Sequence, residues 1–135
     1  MIQDSRFRIY DSRFMNKIRE FTDLIAWQEA HKLVLLIYKV TKNFPREELY
    51  SLTDQIRRAV VSITSNIAEG FGRQSYKEKI QFYYLAQGSL VEVKNQIIIA
   101  KDVGYLQPDV YESIKLQSET AHRLLQGLIK KQVFS

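Results

Sequence analysis

Hydrophobic residues recur at intervals of three and four from residue 22 onwards, and no segment alternates strictly between apolar and polar positions as a strand does. The pattern therefore predicts an all-α protein. The first helix is expected to begin after a cap at Thr22 or Asp23, whose short side chains can accept hydrogen bonds from the first turn. It should end near Asn43, before Pro45. Its predicted inward positions are Leu24, Trp27, Val34, Ile37, Tyr38 and Thr41.

The second helix is predicted between a cap at Ser51 or Thr53 and about Glu69. Gly70 and Gly72 follow and are expected to provide the exit from it, because glycine is common just past a helix end. One face of this helix is apolar and should point to the core. Its residues are Leu52, Ile56, Ala59, Val60, Ile63 and Ile67.

Two longer helices complete the pattern. Ser75 and Glu78 have the spacing of a capping box that opens the third helix, which should end near Val103 with Gly104 at the C′ position. Pro108 suits the first turn of the fourth helix. The apolar positions of the fourth helix are Val110, Ile114, Ala121, Leu124 and Leu128. Four helices with short connections predict an antiparallel up-down four-helix bundle over residues 22–135.

Composition narrows the classes of protein. A chain of 135 residues is expected to form one domain. The absence of cysteine excludes a disulfide scaffold, a thiolate zinc site and a cysteine nucleophile. Only five glycines and two prolines argue against a turn-rich β-sandwich.

Residues 1–21 differ from the rest and are assigned to an N-terminal extension. The tetrapeptide at residues 4–7, Asp-Ser-Arg-Phe, recurs at residues 11–14, but two copies are too few for a solenoid. Two interpretations stay open. Either Met15 is the natural start and residues 1–14 come from upstream sequence, or the segment is a docking arm.

The net positive charge is small, and it is unevenly distributed along the chain. The chain has 20 Lys plus Arg against 15 Asp plus Glu, a net charge of +5. The excess is concentrated in residues 71–101, which could attract an anionic partner or could simply keep the surface soluble. No apolar run approaches the ~20 residues that span a bilayer, and charged residues interrupt the N-terminus where a signal peptide needs an apolar core. We therefore expect a cytoplasmic protein with no membrane partner.

A polar seam accompanies the apolar faces of the second and third helices. On the second helix it spans an arc of about 80° and has apolar residues on both sides, unlike a simple solvent face. The seam residues are Gln55, Arg58, Ser62, Asn66 and Glu69 on the second helix and Glu78, Ser89, Glu92 and Gln96 on the third. Arg58 is expected to pair with Glu92 or Glu78 across the two helices. The seam could be a catalytic or anion site, but a buried polar network that fixes helix register or a subunit interface is the favoured interpretation.

The chain lacks recognisable catalytic or metal motifs. Neither His31 nor His122 lies in a catalytic or metal-ligand pattern, and no Glu-x-x-His pair or glycine-rich phosphate loop is present. The Gly70-Phe71-Gly72 segment lacks the preceding strand that a dinucleotide fingerprint requires. We therefore predict that the protein is not an enzyme and uses neither a metal nor a cofactor.

Several motifs occur in the order seen in one known family. They are Trp27 to Ala30, Phe44-Pro45-Arg46-Glu47-Glu48 with Tyr50, Gln55-Ile56-Arg57-Arg58-Ala59, Ser65-Asn66-Ile67-Ala68-Glu69-Gly70-Phe71-Gly72-Arg73, Ser75 with Glu78, and Ala86-Gln87-Gly88-Ser89 with Glu92. Over residues 21–130 the chain resembles the proteins encoded in intervening sequences of bacterial 23S ribosomal-RNA genes. Thr64 stands where many of these proteins have proline, a change that should ease the helix.

The resemblance implies a four-helix bundle that assembles as a homopentamer and has no established enzymatic activity. A related fold serves as the accessory protein of diversity-generating retroelements, in which a basic pentameric barrel engages reverse transcriptase and nucleic acid. That analogy favours a role in binding nucleic acid or ribonucleoprotein.

Two non-enzymatic functions follow. In the first, the oligomer binds structured RNA or DNA through a basic surface, with phosphate contacts from Arg57, Arg73, Lys77, Lys79 and Lys94. In the second, it is a structural or scaffold oligomer whose partner is another protein. Salt dependence distinguishes the two, since phosphate binding weakens steeply as salt rises.

Overall fold

The computed structural model describes residues 17–133, which form four helices and no strand. The helices are α1 (Ile25–Thr41), α2 (Leu52–Phe71), α3 (Tyr76–Asp102) and α4 (Pro108–Val133). Short 3-10 turns at Phe21–Asp23 and Arg46–Glu48 precede α1 and α2. The predictions of an all-helical chain and of four helices are confirmed. The repeated tetrapeptide and Met15 lie outside the described residues.

The four helices enclose one core, because α1 packs on α2 and α4 while α3 packs on the same two helices. Higher-numbered residues of α2 meet lower-numbered residues of α3: Ser62 hydrogen-bonds Ser89, whereas Gly70 packs on Tyr83. The largest fully buried side chains are Tyr83, Leu33, Ile37, Ile56, Ile63, Ile67, Leu90, Ile97, Ile114, Leu125, Val60 and Val93. Burial raises the pKa of Tyr83 to about 12, as expected for a phenol held among aliphatic side chains.

The predicted cap of α1 is wrong. Leu24 occupies the N-cap position and supplies no side-chain hydrogen bond. Asp23 instead points back along the chain, and its Oδ2 accepts from the backbone N–H groups of Arg19 and Glu20, each at 3.0 Å. The carboxylate therefore stabilises the short turn before α1 rather than α1 itself.

The buried face of α1 is rotated from the predicted one by about 60°. Ile37 and Thr41 are buried as expected, but Trp27 and Val34 are only half-buried and Tyr38 is exposed. The core positions are Ala26, Ala30, Leu33, Ile37 and Thr41. Small residues at the first two positions let α1 lie close to its neighbours, and the large aromatic side chains are left at the edge.

Gly70 is part of α2 rather than its exit, because the helix continues to Phe71 and has Gly72 as its C-cap. Gly70 is buried, and a Cβ built on it would lie 2.7 Å from Cε1 of Tyr83. Its small size therefore serves close contact between α2 and α3. Gly72 keeps a right-handed helical backbone, with φ −78°.

The ends of α3 follow the prediction. Ser75 Oγ accepts a hydrogen bond from the Glu78 N–H at 3.1 Å, which is the serine half of the predicted capping box. At the other end Gly104 has φ +93° and donates to the Lys101 carbonyl, while the Tyr105 N–H donates to the Ala100 carbonyl at 2.8 Å. This pair of bonds is a Schellman motif, which glycine favours because it lacks a Cβ.

α4 begins at Pro108, as predicted. Of its five predicted apolar positions, Ile114 and Ala121 are buried, whereas Val110, Leu124 and Leu128 are half-buried. The buried residues of α4 are Tyr111, Ile114, Ser118, Ala121, Leu125 and Ile129. No helix among residues 17–133 is long and apolar enough to cross a membrane.

Candidate functional site

The polar seam exists as a short hydrogen-bond network between α2 and α3. Ser89 Oγ donates to Ser62 Oγ at 2.8 Å. Asn66 Nδ2 donates to the backbone carbonyl of Ser62 at 2.8 Å and to its Oγ at 3.0 Å. Three short side chains thus satisfy one another where the two helices come close, and they fix the register of α2 against α3.

The predicted ion pair of Arg58 with Glu92 or Glu78 is wrong within the described chain. The Arg58 side chain is 79% exposed, and within residues 17–133 its only carboxylate contact is with Asp54 Oδ2 at 3.8 Å, one turn away on the same helix. Arg58 lies about 40° around α2 from Ser62, which is the residue that contacts α3 through Ser89. This rotation places the arginine side chain in solvent rather than against α3.

The remaining seam residues separate into exposed and buried groups. Gln55, Glu69, Glu78 and Glu92 are exposed, and Glu69 pairs with Arg73 at 2.7 Å. Gln96 is only 4% exposed, and its Oε1 has no hydrogen-bond partner in residues 17–133. The seam is therefore not one continuous buried network. It has a satisfied centre at Ser62 and Ser89 and an unsatisfied amide further along α3.

Three of the predicted basic residues gather at the turn between α2 and α3, but two of them also have partners within the chain. Arg73 pairs with Glu69, and its guanidinium lies 4.7 Å from the centre of the Phe82 ring. Lys79 Nζ donates to the Phe71 carbonyl at 2.7 Å, and burial lowers the pKa of Lys79. Lys77 is exposed at the same turn. Lys79 therefore closes the end of α2, whereas Lys77 is available to a ligand.

The other two predicted phosphate contacts lie elsewhere. Arg57 is near the opposite end of α2, about 20 Å from its last turn. Its Nε donates to Thr41 Oγ1 at 2.9 Å. Lys94 is about 22 Å along α3 from Lys79, and its Nζ lies 2.7 Å from Nδ1 of His122. The five residues consequently do not form one basic patch.

Sequence reasoning missed the lysines at the end of α4. Lys94 meets His122 and Lys101 lies over the Tyr111 ring, so residue numbers rise along α3 as they fall along α4. By this register Lys130 lies level with about residue 84 of α3, roughly 10 Å along the helix axis from Lys77. Residues 102–135 contain four acidic and four basic residues, but the acidic residues all precede residue 120 and three of the four basic residues follow residue 122. The clustering of basic residues towards the C-terminal end of α4, rather than the net charge of the whole segment, is the sequence feature that indicates this basic surface.

Among residues 17–133, α3 carries the largest number of exposed large hydrophobic side chains, most of them on its outer face. Five of its exposed residues define this face: Tyr84, Leu85, Val91, Ile98 and Ile99. Leu85 alone is 57% exposed. On α2, beyond the polar seam, Val61 is exposed and Ala68 is half-buried. The unpartnered apolar surface thus belongs mainly to α3.

The histidines and acidic residues show no metal-site geometry. Among residues 17–133 no group of three or more His, Asp or Glu side chains could hold a metal ion. His31 instead stacks on Trp27, with ring centres 4.7 Å apart and an angle of 10° between the planes.

These features define an all-α bundle whose third helix carries apolar residues on its outer as well as its inner face. Residues 22–127 match the 23S rRNA-intervening sequence protein family, and the chain belongs to that family. A solved structure with a similar fold is a protein of unknown function from the S23 ribosomal protein family of Bacteroides thetaiotaomicron VPI-5482. It is 24% identical, with a TM-score of 0.74, and the match covers 81% of this chain and 98% of the other. No curated protein matches this chain.

Proposed function

We propose that this protein is a non-enzymatic, cytoplasmic homo-oligomer of up-down four-helix bundles, joined through the outer face of α3. The observation that carries the proposal is the exposure of Tyr84, Leu85, Val91, Ile98 and Ile99 on one side of that helix. A helix that carries apolar residues on both its inner and its outer face suits a position between two partners, and a single subunit covers only the inner side of α3.

Gly88 provides a second reason to place a subunit interface on the outer face of α3. It lies within the outer face of α3, and no atom of the subunit would come within 4 Å of a Cβ built on it. Glycine inside a helix costs about 1 kcal/mol relative to alanine. Close approach of a helix from another subunit gives that cost a structural reason.

The family resemblance implies five subunits, and this number constrains the contact. A ring of five requires a heterologous interface, in which the outer face of α3 meets a different surface of the next subunit. A shallow depression beside the C-terminal half of α2 is a candidate for that surface because three of its five lining residues are small. The depression is bordered by Ser65, Ala68, Glu69, Gly72 and Arg73.

Light scattering on the purified chain tests the assembly. The wild type should have a mass several times 15.9 kDa at micromolar concentration. Val91→Glu should shift the mass towards that of a monomer, because a carboxylate would be buried without a partner at the interface. Leu116→Glu, at an exposed leucine of α4, is the matched control and should leave the mass unchanged. A monomeric wild type, or equal effects of the two variants, would contradict the proposal.

Binding of structured RNA or DNA is a second candidate function. The observation in its favour is the proximity of Lys77, Arg73 and the exposed Tyr76 at the α2–α3 turn. The register of α3 and α4 adds Lys130 to the same end of the molecule. Exposed cations beside an aromatic ring suit phosphate contacts and base stacking. A protein scaffold is the alternative, for which the outer face of α3 would be the binding surface.

A further inference from the structure

A pocket at the connection between α1 and α2 contains charged and polar residues that have no part in the proposed assembly. It is open to solvent and has a volume of about 330 Å³. Thr41 and Lys42 from the end of α1 form one side, and Thr53 and Arg57 from α2 form the other. The connection itself closes the pocket with Phe44, Pro45, Arg46 and Leu49. Cations, hydroxyl groups and apolar surface thus converge at one concave site.

Arg57 is the residue of this pocket that indicates which kind of ligand it could bind. It is half-buried, and two contacts position its guanidinium: the Nε hydrogen bond to Thr41 Oγ1 at 2.9 Å and a stack 4.8 Å from the centre of the Tyr38 ring. Within residues 17–133 no carboxylate lies within 4 Å of it. The Nε bond leaves the donors of both terminal nitrogens for another acceptor. A positioned arginine without a carboxylate partner within residues 17–133 is available to an anionic ligand.

The carboxylates closest in sequence do not take that role. Glu48 accepts from the Tyr105 hydroxyl at 2.7 Å and from the Leu52 N–H, and these bonds lower the pKa of Glu48. Asp54 contacts Arg58 instead. Glu47 is exposed and does not line the pocket. The pocket therefore keeps the positive charges of Lys42, Arg46 and Arg57.

We propose that this pocket binds the phosphate group of a small phosphorylated molecule. Three cations suit a phosphate dianion better than a single carboxylate, and the fork of Arg57 can contact two phosphate oxygens at once. Thr53, which is only 3% exposed, contributes a hydroxyl side chain from the first turn of α2. Phe44, Pro45 and Leu49 form an apolar wall for the remainder of the ligand. This inference does not depend on the proposed assembly.

Isothermal titration of the full chain with inorganic phosphate tests the site, with sodium chloride adjusted to hold ionic strength constant. Wild type should show saturable binding with one phosphate per chain. A nucleoside monophosphate should bind more tightly, because it adds contacts with the apolar wall. Arg57→Gln should weaken binding by roughly 10-fold or more, since a charge-assisted bidentate contact is lost. Arg58→Gln is the matched control and should bind as the wild type does.

Arg57→Gln also removes contacts between α1 and α2, so a second variant keeps the result interpretable. Lys42→Gln with Arg46→Gln alters only exposed side chains and should weaken phosphate binding by several-fold while the far-ultraviolet circular dichroism stays unchanged. The absence of saturable phosphate binding, or equal weakening by Arg57→Gln and Arg58→Gln, would overturn the proposal. An RNA oligonucleotide that binds through Arg57 when free phosphate does not would also overturn it.

Discussion

At the scale of single residues, the contact between Lys94 and His122 makes the stability of the bundle depend on pH. Lysine has only donors, so its bond to Nδ1 at 2.7 Å requires an unprotonated acceptor on the histidine. Burial lowers the pKa of His122, and the neighbouring Lys94 charge lowers it further. Protonation would place two cations in contact between α3 and α4.

The sign of the effect follows from the lowered pKa of His122. As the pH falls below the ordinary histidine value of about 6.5, the unfolded chain takes up this proton before the folded chain does. Stability is therefore complete above that value and declines as the pH approaches the lower pKa of the folded state. Urea unfolding at pH 7.5 and pH 5.5 should show a smaller pH-dependent loss in His122→Gln than in the wild type. His31→Gln serves as the control. A pH dependence that His122→Gln leaves unchanged would show that this contact is unimportant.

At the scale of the elements, α3 differs from its neighbours because it carries more exposed large hydrophobic side chains than they do. Gly88 on α3 and Gly127 on α4 are both exposed within helices, and a Cβ at either position would meet nothing within 4 Å. Within an isolated subunit, leucine at either position should raise the free energy of unfolding by about 1 kcal/mol through helix propensity. The two glycines are therefore a matched pair for testing which helix lies against another subunit.

We expect Gly88→Leu to weaken the assembly and Gly127→Leu to leave it intact. The added side chain on α3 would prevent close approach of another helix, whereas the one on α4 would extend into solvent. Sedimentation velocity over a dilution series gives the dissociation behaviour of each variant. If Gly88→Leu assembles like the wild type, the middle of α3 is not at the interface.

At the scale of the whole molecule, the proposed assembly would multiply a modest charge. A pentamer of subunits at +5 each would carry +25, and weak sites repeated around a ring would gain affinity by acting together. If Lys77 at the α2–α3 turn and Lys130 on α4 bind structured RNA, the affinity measured by filter binding should fall by orders of magnitude between ~50 and ~200 mM salt. Lys77→Ala with Lys130→Ala should weaken binding at both salt concentrations.

The control for this experiment is Lys39→Ala with Lys115→Ala, which removes the same charge from exposed positions on α1 and α4. Equal effects of the two double variants would indicate a response to net charge alone. No binding at the lower salt concentration would leave the protein scaffold as the better proposal.

Several helix boundaries, unlike the cap of α1, could be predicted from the sequence because they depend on local chemistry. Pro108 begins a helix because its ring fixes φ and it has no N–H to leave unpaired. Gly104 ends one because the Schellman geometry requires a positive φ. Ser75 caps α3 with its own side chain. Each of these preferences involves only a few neighbouring residues, so the sequence alone determined the number and approximate limits of the helices.

The tertiary structure decided which face of each helix is buried and which polar residues meet. Periodicity gives an apolar arc, but the rotation of α1 within that arc depends on how closely its neighbours approach, and this left Tyr38 exposed. The same geometry placed Ser62 of α2 beside Ser89 of α3 and left the Arg58 side chain in solvent, although Ser62 and Arg58 both lie on the polar arc of α2. It also placed Arg57, which the sequence grouped with distant lysines, in a separate pocket. Side-chain partners are set by the relative positions of helices, which no single helix encodes.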